Sequence, residues 1–199
     1  MPSPETALLL KLLAEVRAID GISFGQAPAP PPPPAAVAGP TTTLDRLLSL
    51  LRGPWFPTLA GYFVNHRPDS PYATLDDESK VQDLVYSLSV ALVPDLHFED
   101  PQQKNVGAIA STRVDFTSDD SAIFLEVKLA TSSHTAKKVE AEISEDIVKY
   151  GKQPTFTDLV FFVYCHQYAF PNAPQFERGN SGTHSIAGHA FTTHCIVKP

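Results

Sequence analysis

Cysteine is scarce: Cys165 and Cys195 are the 2 in a chain of 199 residues. So few exclude a disulfide scaffold and fit a reducing compartment. No uninterrupted apolar run reaches the roughly 18 residues that a membrane span needs. The opening stretch from Met1 to Ile22 carries Glu5, Lys11, Glu15, Arg17 and Asp20, a pattern unlike a secretory leader. The expectation is a cytoplasmic protein without membrane contact. Basic residues are also in short supply, with 15 Lys and Arg against 22 Asp and Glu, a net charge of −7. That balance argues mildly against a nucleic-acid partner, since phosphate binding usually shows as a basic patch. The imbalance lies in the front half: Met1 to Gln103 holds 12 acidic and 6 basic residues, whereas the remainder holds 10 and 9. No C-x-x-C pair occurs, and His184, His189 and His194 recur at intervals too loose to frame a four-ligand zinc set. With His166 they read as loop or phosphate-contacting residues, and the two cysteines as small core residues.

What the chain does have is enough apolar material, 43%, for one domain of ordinary size plus an appendage. Residues 1–24 read as an amphipathic helix with Leu8, Leu9, Leu10, Leu12, Leu13 and Val16 on its stripe. It either docks a partner or a second copy, or folds back on its own domain. Residues 25–42 are rich in Pro and Ala and read as a semi-rigid extended linker. The domain proper is then 43–199. It opens with a helix over TLDRLLSLLRG, with Thr43 as cap and Gly53 as stop. The proline-punctuated PWFPTLAGYFVNHRPDSPY reads as an irregular covering segment, in which Trp55 and Phe56 either anchor the core or stack on a base.

The core spans 74–199. Leu75 to Val93 forms a helix from the spacing of Val81, Leu84, Val85, Leu88 and Leu92, ended by Pro94. Acidic Asp76, Asp77 and Glu78 crowd its first turn, where a helix dipole favours negative charge. Arg113 to Phe116 is a short strand carrying Asp115, Thr117 to Ser121 its connection, and Ala122 to Leu129 a second strand. In that second strand Phe124, Glu126 and Lys128 alternate with Ile123, Leu125, Val127 and Leu129, so Glu126 and Lys128 share a face. Antiparallel pairing brings Asp115 beside Glu126. Two carboxylates so placed call for a hard cation held through oxygen, and Mg2+ is the natural choice, with Mn2+ as substitute. Such an ion activates water and offsets charge building on a phosphate, while Lys128 orients or stabilises the reacting oxygens. A helix from His134 to Tyr150 follows, with Val139, Ile143, Ile147 and Tyr150 inward. A buried strand TDLVFFVY, a polar loop PNAPQFERGNSGTHSIAGH that faces DNA or solvent, and a last strand HAFTTHCIVKP complete the chain.

The spacing of Asp115, Glu126 and Lys128 resembles the PD-(D/E)XK nuclease superfamily, with Val114 where proline often stands. The ordered set DESKVQDLVYSL, STRVDF, IFLEVKLA, EDIVKY, DLVFFVY and IVKP is similar to the restriction-endonuclease-like domain of bacterial restriction and phage-defence proteins. The resemblance implies an α/β fold, a mixed central sheet flanked by helices in the order αβββαβ with an N-terminal helical extension. It implies a metal-dependent endonuclease acting on DNA, often dimeric or part of a larger system. Asp115, Glu126 and Glu78 would be metal ligands, Lys128 the catalytic lysine, and Arg113, Lys137 and Lys138 nucleic-acid contacts. A glutamine usual on the second helix falls at Glu142, whose charge would repel phosphate. The competing expectation is a catalytically silent module that keeps the fold to bind nucleic acid or a protein.

Overall fold

A computed structural model describes residues 42–98, 114–166 and 170–199. The helix and linker expected before residue 42, and Arg113, lie outside the described residues. Helix α1, Thr43–Arg52, is closed by a capping box one residue earlier than expected: Thr42 Oγ1 accepts from the Asp45 amide at 3.1 Å, and the Thr42 amide donates to Asp45 Oδ2 at 3.0 Å. Its Leu47, Leu48, Leu50 and Leu51 are buried.

The segment expected to be irregular is instead a second helix, α2, Trp55–His66. Pro54 precedes it and Pro57 sits in its first turn, where an amide has no partner within the helix to lose. The prolines thus start the helix. Trp55 and Phe56 are core anchors and unavailable to a base, being 3% and 0% exposed. Phe56 packs its ring 5.1 Å from Phe162 and 5.0 Å from Tyr164, and Trp55 donates its indole N–H to the Leu50 carbonyl. A 3₁₀ turn, Pro71–Ala73, leads to helix α3, Glu78–Ser89. That helix is shorter than its apolar spacing suggested, because the chain tightens at its end: the amides of Leu92 and Val93 both donate to the Ser89 carbonyl, at 3.0 and 2.9 Å. Leu92 and Val93 are still buried.

The sheet has six described strands in the order β1-β2-β3-β4-β6-β5. These are β1 (His97–Phe98), β2 (Phe116–Ser118), β3 (Ile123–Ala130), β4 (Asp158–Cys165), β5 (Gly182–Ile186) and β6 (His189–Lys198). β3, β4 and β6 run parallel, and the other neighbours are antiparallel. Helix α4, Ala136–Tyr150, carries the chain from β3 to β4, as parallel neighbours require. Asp115 precedes β2 and does not lie within it. Thr117 and Ser118, expected in the connection, are paired strand residues, and the turn is Asp119–Ala122, with Ala122 at φ +51°. The late polar segment holds helix α5, Ala173–Gly179, and edge strand β5, where a loop was expected. β5 joins β6 through Ala187 and Gly188, both at positive φ, the two-residue turn that suits strand twist.

Helices cover both faces. Ile123, Leu125, Val127, Val160, Phe162 and Ile196 pack with α1, α2 and α3 on one side. Phe124, Ala130, Leu159, Phe161 and Val163 pack with Val139, Ile143 and Tyr150 of α4 on the other. Burial on both faces explains why β4 reads as a continuous apolar run. Each fully buried large side chain here contributes about 1.5–3 kcal/mol. Among the described residues, no helix is long and apolar enough to cross a membrane.

Candidate active site

β3 is buried on both faces, so its two charged residues are anomalies to be explained. Glu126 and Lys128 are 6% and 9% exposed and point with Phe124 toward α4. Lys128 Nζ donates to Glu126 Oε1 at 2.8 Å and lies 2.8 Å from Asp146 Oδ2 of α4. Tyr150, one turn beyond Asp146, donates its hydroxyl to Glu126 Oε2 at 3.2 Å. The lysine is thus held between an acid on its own strand and one on the crossover helix.

Two more carboxylates reach β3 from its other edge. Pairing with β2 ends at Phe116 opposite Leu125, and beyond it the amides of β3 meet side chains. The Val127 amide donates to Asp115 Oδ2 at 2.8 Å, and the Leu129 amide donates to Glu78 Oε2 at 3.2 Å. The Asp115 amide in turn donates to Glu126 Oε2 at 3.2 Å. Glu78 is delivered by the first turn of α3, fixed by Asp77, whose Oδ1 accepts from the Ser79 amide at 2.8 Å. Gln82, one turn along α3, lies close enough to Asp115 to favour its charged form.

This crowding of acids sets their protonation. Burial pushes the Asp115 carboxyl above its ordinary range, with Glu78 adding to the effect against the Val127 amide and Lys128. Glu126 is raised for the same reason, with Asp115 second; the ammonium 2.8 Å away does not compensate. Glu78 is raised by burial, opposed by Lys128. For Lys128 burial opposes the charged form, but Glu126 and Asp146 outweigh it and the ammonium is held charged. Tyr150 is raised by burial and by Glu126, so it keeps its proton and donates.

Sequence reasoning placed Asp115, Glu126, Lys128 and Glu78 in one site, and the structure gathers them around the middle of β3. It missed Asp146 and Gln82. Asp146 had a signal, because a charged residue stands within the inward stripe of Val139, Ile143 and Tyr150. Gln82 had only its spacing of four from Glu78. Lys137 and Lys138 lie exposed in the first turn of α4, with Lys138 donating to the Ser133 carbonyl at 2.8 Å. Glu142 pairs with His134 at 3.2 Å, and its charge also bears on Glu78. The late histidines are engaged separately: His184 with Thr193 Oγ1 at 3.0 Å, His189 with the Phe156 carbonyl at 2.6 Å, His194 with Asp158 at 2.9 Å.

The donor set suits a hard divalent cation in its chemistry: three carboxylates, each disfavoured as an anion until positive charge arrives. The spacing is a different matter. Among the described residues no group of three His, Cys, Asp or Glu side chains stands at metal-holding separation. Asp115 and Glu78 are instead turned onto backbone amides and Glu126 onto Lys128.

The model of a family described as REase_DpnII-MboI, restriction endonucleases of the DpnII and MboI kind, matches residues 63–189. That range runs from α2 into the first residue of β6 and contains every residue of the site. No curated protein and no solved structure matches the chain.

Proposed function

The chain belongs to the DpnII–MboI family of restriction endonucleases, whose fold is restriction-endonuclease-like, and on that premise we propose that it cleaves DNA by metal-dependent phosphodiester hydrolysis at β3. Asp115 and Glu126 would hold Mg2+, or Mn2+ in its place, with Glu78 in support. When bound, the ion would polarise the phosphate and lower the pKa of water. The chain's own groups do the rest. Lys128, kept charged by its two carboxylate partners, offers a fixed ammonium to the non-bridging phosphate oxygens or to the incoming water, and it needs no reorganisation at the moment of reaction. Tyr150 holds one oxygen of Glu126. The Val127 amide holds Asp115. Lys137 and Lys138, exposed beside the end of β3, are suited to the DNA backbone, and Arg113 is assigned to the same role.

The observation that carries this reading is the meeting of Asp115, Glu126 and Lys128 at one buried spot, in a sheet interior where charge is costly without a function. The family supports a role in restriction; an effector role in defence against phage, and docking of a partner or second copy by residues 1–24 on the linker 25–42, belong to the same proposal. The test is cleavage of duplex DNA with Mg2+, Mn2+ or EDTA, beside Asp115→Ala and Lys128→Ala. Cutting that needs metal and disappears in both variants is the expected result. Cutting that survives in a folded Asp115→Ala protein defeats the proposal, and a folded wild type that binds DNA without cutting it points to the silent module.

A further inference from the structure

Glu126 is asked to do two things. In the structure it is one of two anchors of Lys128, each at 2.8 Å; in the proposed reaction it holds the cation. A carboxylate drawn toward a divalent ion has less negative charge to offer an ammonium, so the lysine needs a second anchor that does not move. Asp146 meets that need. It stands on α4, a different element from the carboxylates assigned to the metal, and is 9% exposed. Its Oδ2 lies 2.8 Å from Lys128 Nζ, and its Oδ1 is 3.9 Å from Lys149, which sits over the Tyr150 ring. Its helical position belongs to the stripe of Val139, Ile143 and Tyr150, where packing alone would place an apolar residue.

We propose that Asp146 is a positioning residue of the nuclease site, holding the Lys128 ammonium in place when Glu126 is committed to the metal. This rests on the nuclease reading of β3. Asp146 touches neither metal nor DNA in this role, and its effect passes through Lys128 alone. A displacement of a reacting group by about 1 Å costs on the order of 100-fold in rate.

The experiment compares Asp146→Ala, Asp146→Asn, Lys128→Ala and the Asp146→Ala/Lys128→Ala double variant under single turnover on duplex DNA with Mn2+. Mn2+ affinity is measured in parallel by electron paramagnetic resonance. We expect Asp146→Ala to cut about 100-fold more slowly than wild type, with Mn2+ affinity and KM within about threefold and Asp146→Asn recovering part of the loss. The double variant should be no slower than Lys128→Ala, because residues acting as a unit are not additive. A wild-type rate in Asp146→Ala, losses that multiply in the double variant, or Mn2+ affinity that falls in step with rate each overturn the proposal. A wild type that cuts nothing, or a Lys128→Ala protein that cuts normally, overturns the nuclease reading itself and takes this proposal with it.

Discussion

The Asp115 amide donates to Glu126 Oε2 at 3.2 Å, and the carboxyl of each residue is pushed upward by burial and by other acids. Their proximity has a cost in the metal-free protein. A carboxyl raised on folding leaves the native chain holding more protons than the unfolded chain, so stability falls as pH rises through the interval between the two values. Unfolded carboxyls titrate near pH 4, which puts the loss between about pH 4 and neutrality. In EDTA, the melting temperature should be higher at pH 5.5 than at pH 7.5, and Mg2+ should remove most of the difference. Asp76 and Asp77, lowered by hydrogen bonds from Lys80 and Ser79, work in the opposite sense, with their effect confined to lower pH. A melting temperature independent of pH in EDTA would count against the buried pair as described.

Replacing one of these acids should separate stability from activity. Asp115→Asn keeps an oxygen to accept from Val127 and removes a charge facing Glu126 and Glu78. The variant should lose cleavage yet melt about 2–4 °C higher in EDTA, equivalent to about 1 kcal/mol for a chain of this size. Differential scanning calorimetry beside the cleavage assay reads both.

The aromatic cluster under α2 gives a third expectation. Phe56 is fully buried among Trp55, Phe162 and Tyr164, so Phe56→Ala should cost about 3–5 kcal/mol. Urea unfolding is convenient to follow because Trp55 is the single tryptophan. Its emission should be blue-shifted in the folded state and move to the red in the same transition as the circular dichroism. DNA binding by the folded fraction should be unchanged, since neither ring is available to a base.

Smaller devices are measurable as well. Thr42→Ala opens the capping box of α1 and should cost about 1 kcal/mol. Gly151→Ala is harsher for its size: a Cβ there would lie 2.8 Å from the Ile147 carbonyl and from Ile186 Cδ1, and 2.9 Å from Phe191. Overpacking of this kind costs about 1–3 kcal/mol. Because Gly151 follows Tyr150 directly, the variant should also slow cleavage by moving the hydroxyl that holds Glu126.

What could be read from the chain, and what could not, divides along physical lines. β3 and β4 were legible because their apolar content is dense, and α3 because its spacing is regular. Glu126 and Lys128 were legible as sharing a face because strand alternation fixes their directions, whereas Asp115 came in through the antiparallel pairing and Glu78 through the family resemblance. β5 was lost because an edge strand exposes half its residues and can be as polar as Gly182–Ile186. Proline hid α2, since a proline in the first turn and one within a loop look alike in sequence. Asp146 is hidden because it stands in an inward stripe otherwise made of apolar side chains, and only the buried Lys128 calls for an acid there.

Among the described residues no strand pairs with β3 at the amides of Val127 and Leu129, beyond the end of β2, and Asp115 and Glu78 take them instead. Unfilled, such a stretch is a template on which another chain can add a strand. Filling it is a second consequence of where the acids of the site stand. Removing both at once should leave a protein that fails by clumping as well as by losing its chemistry, and the two losses would share one cause.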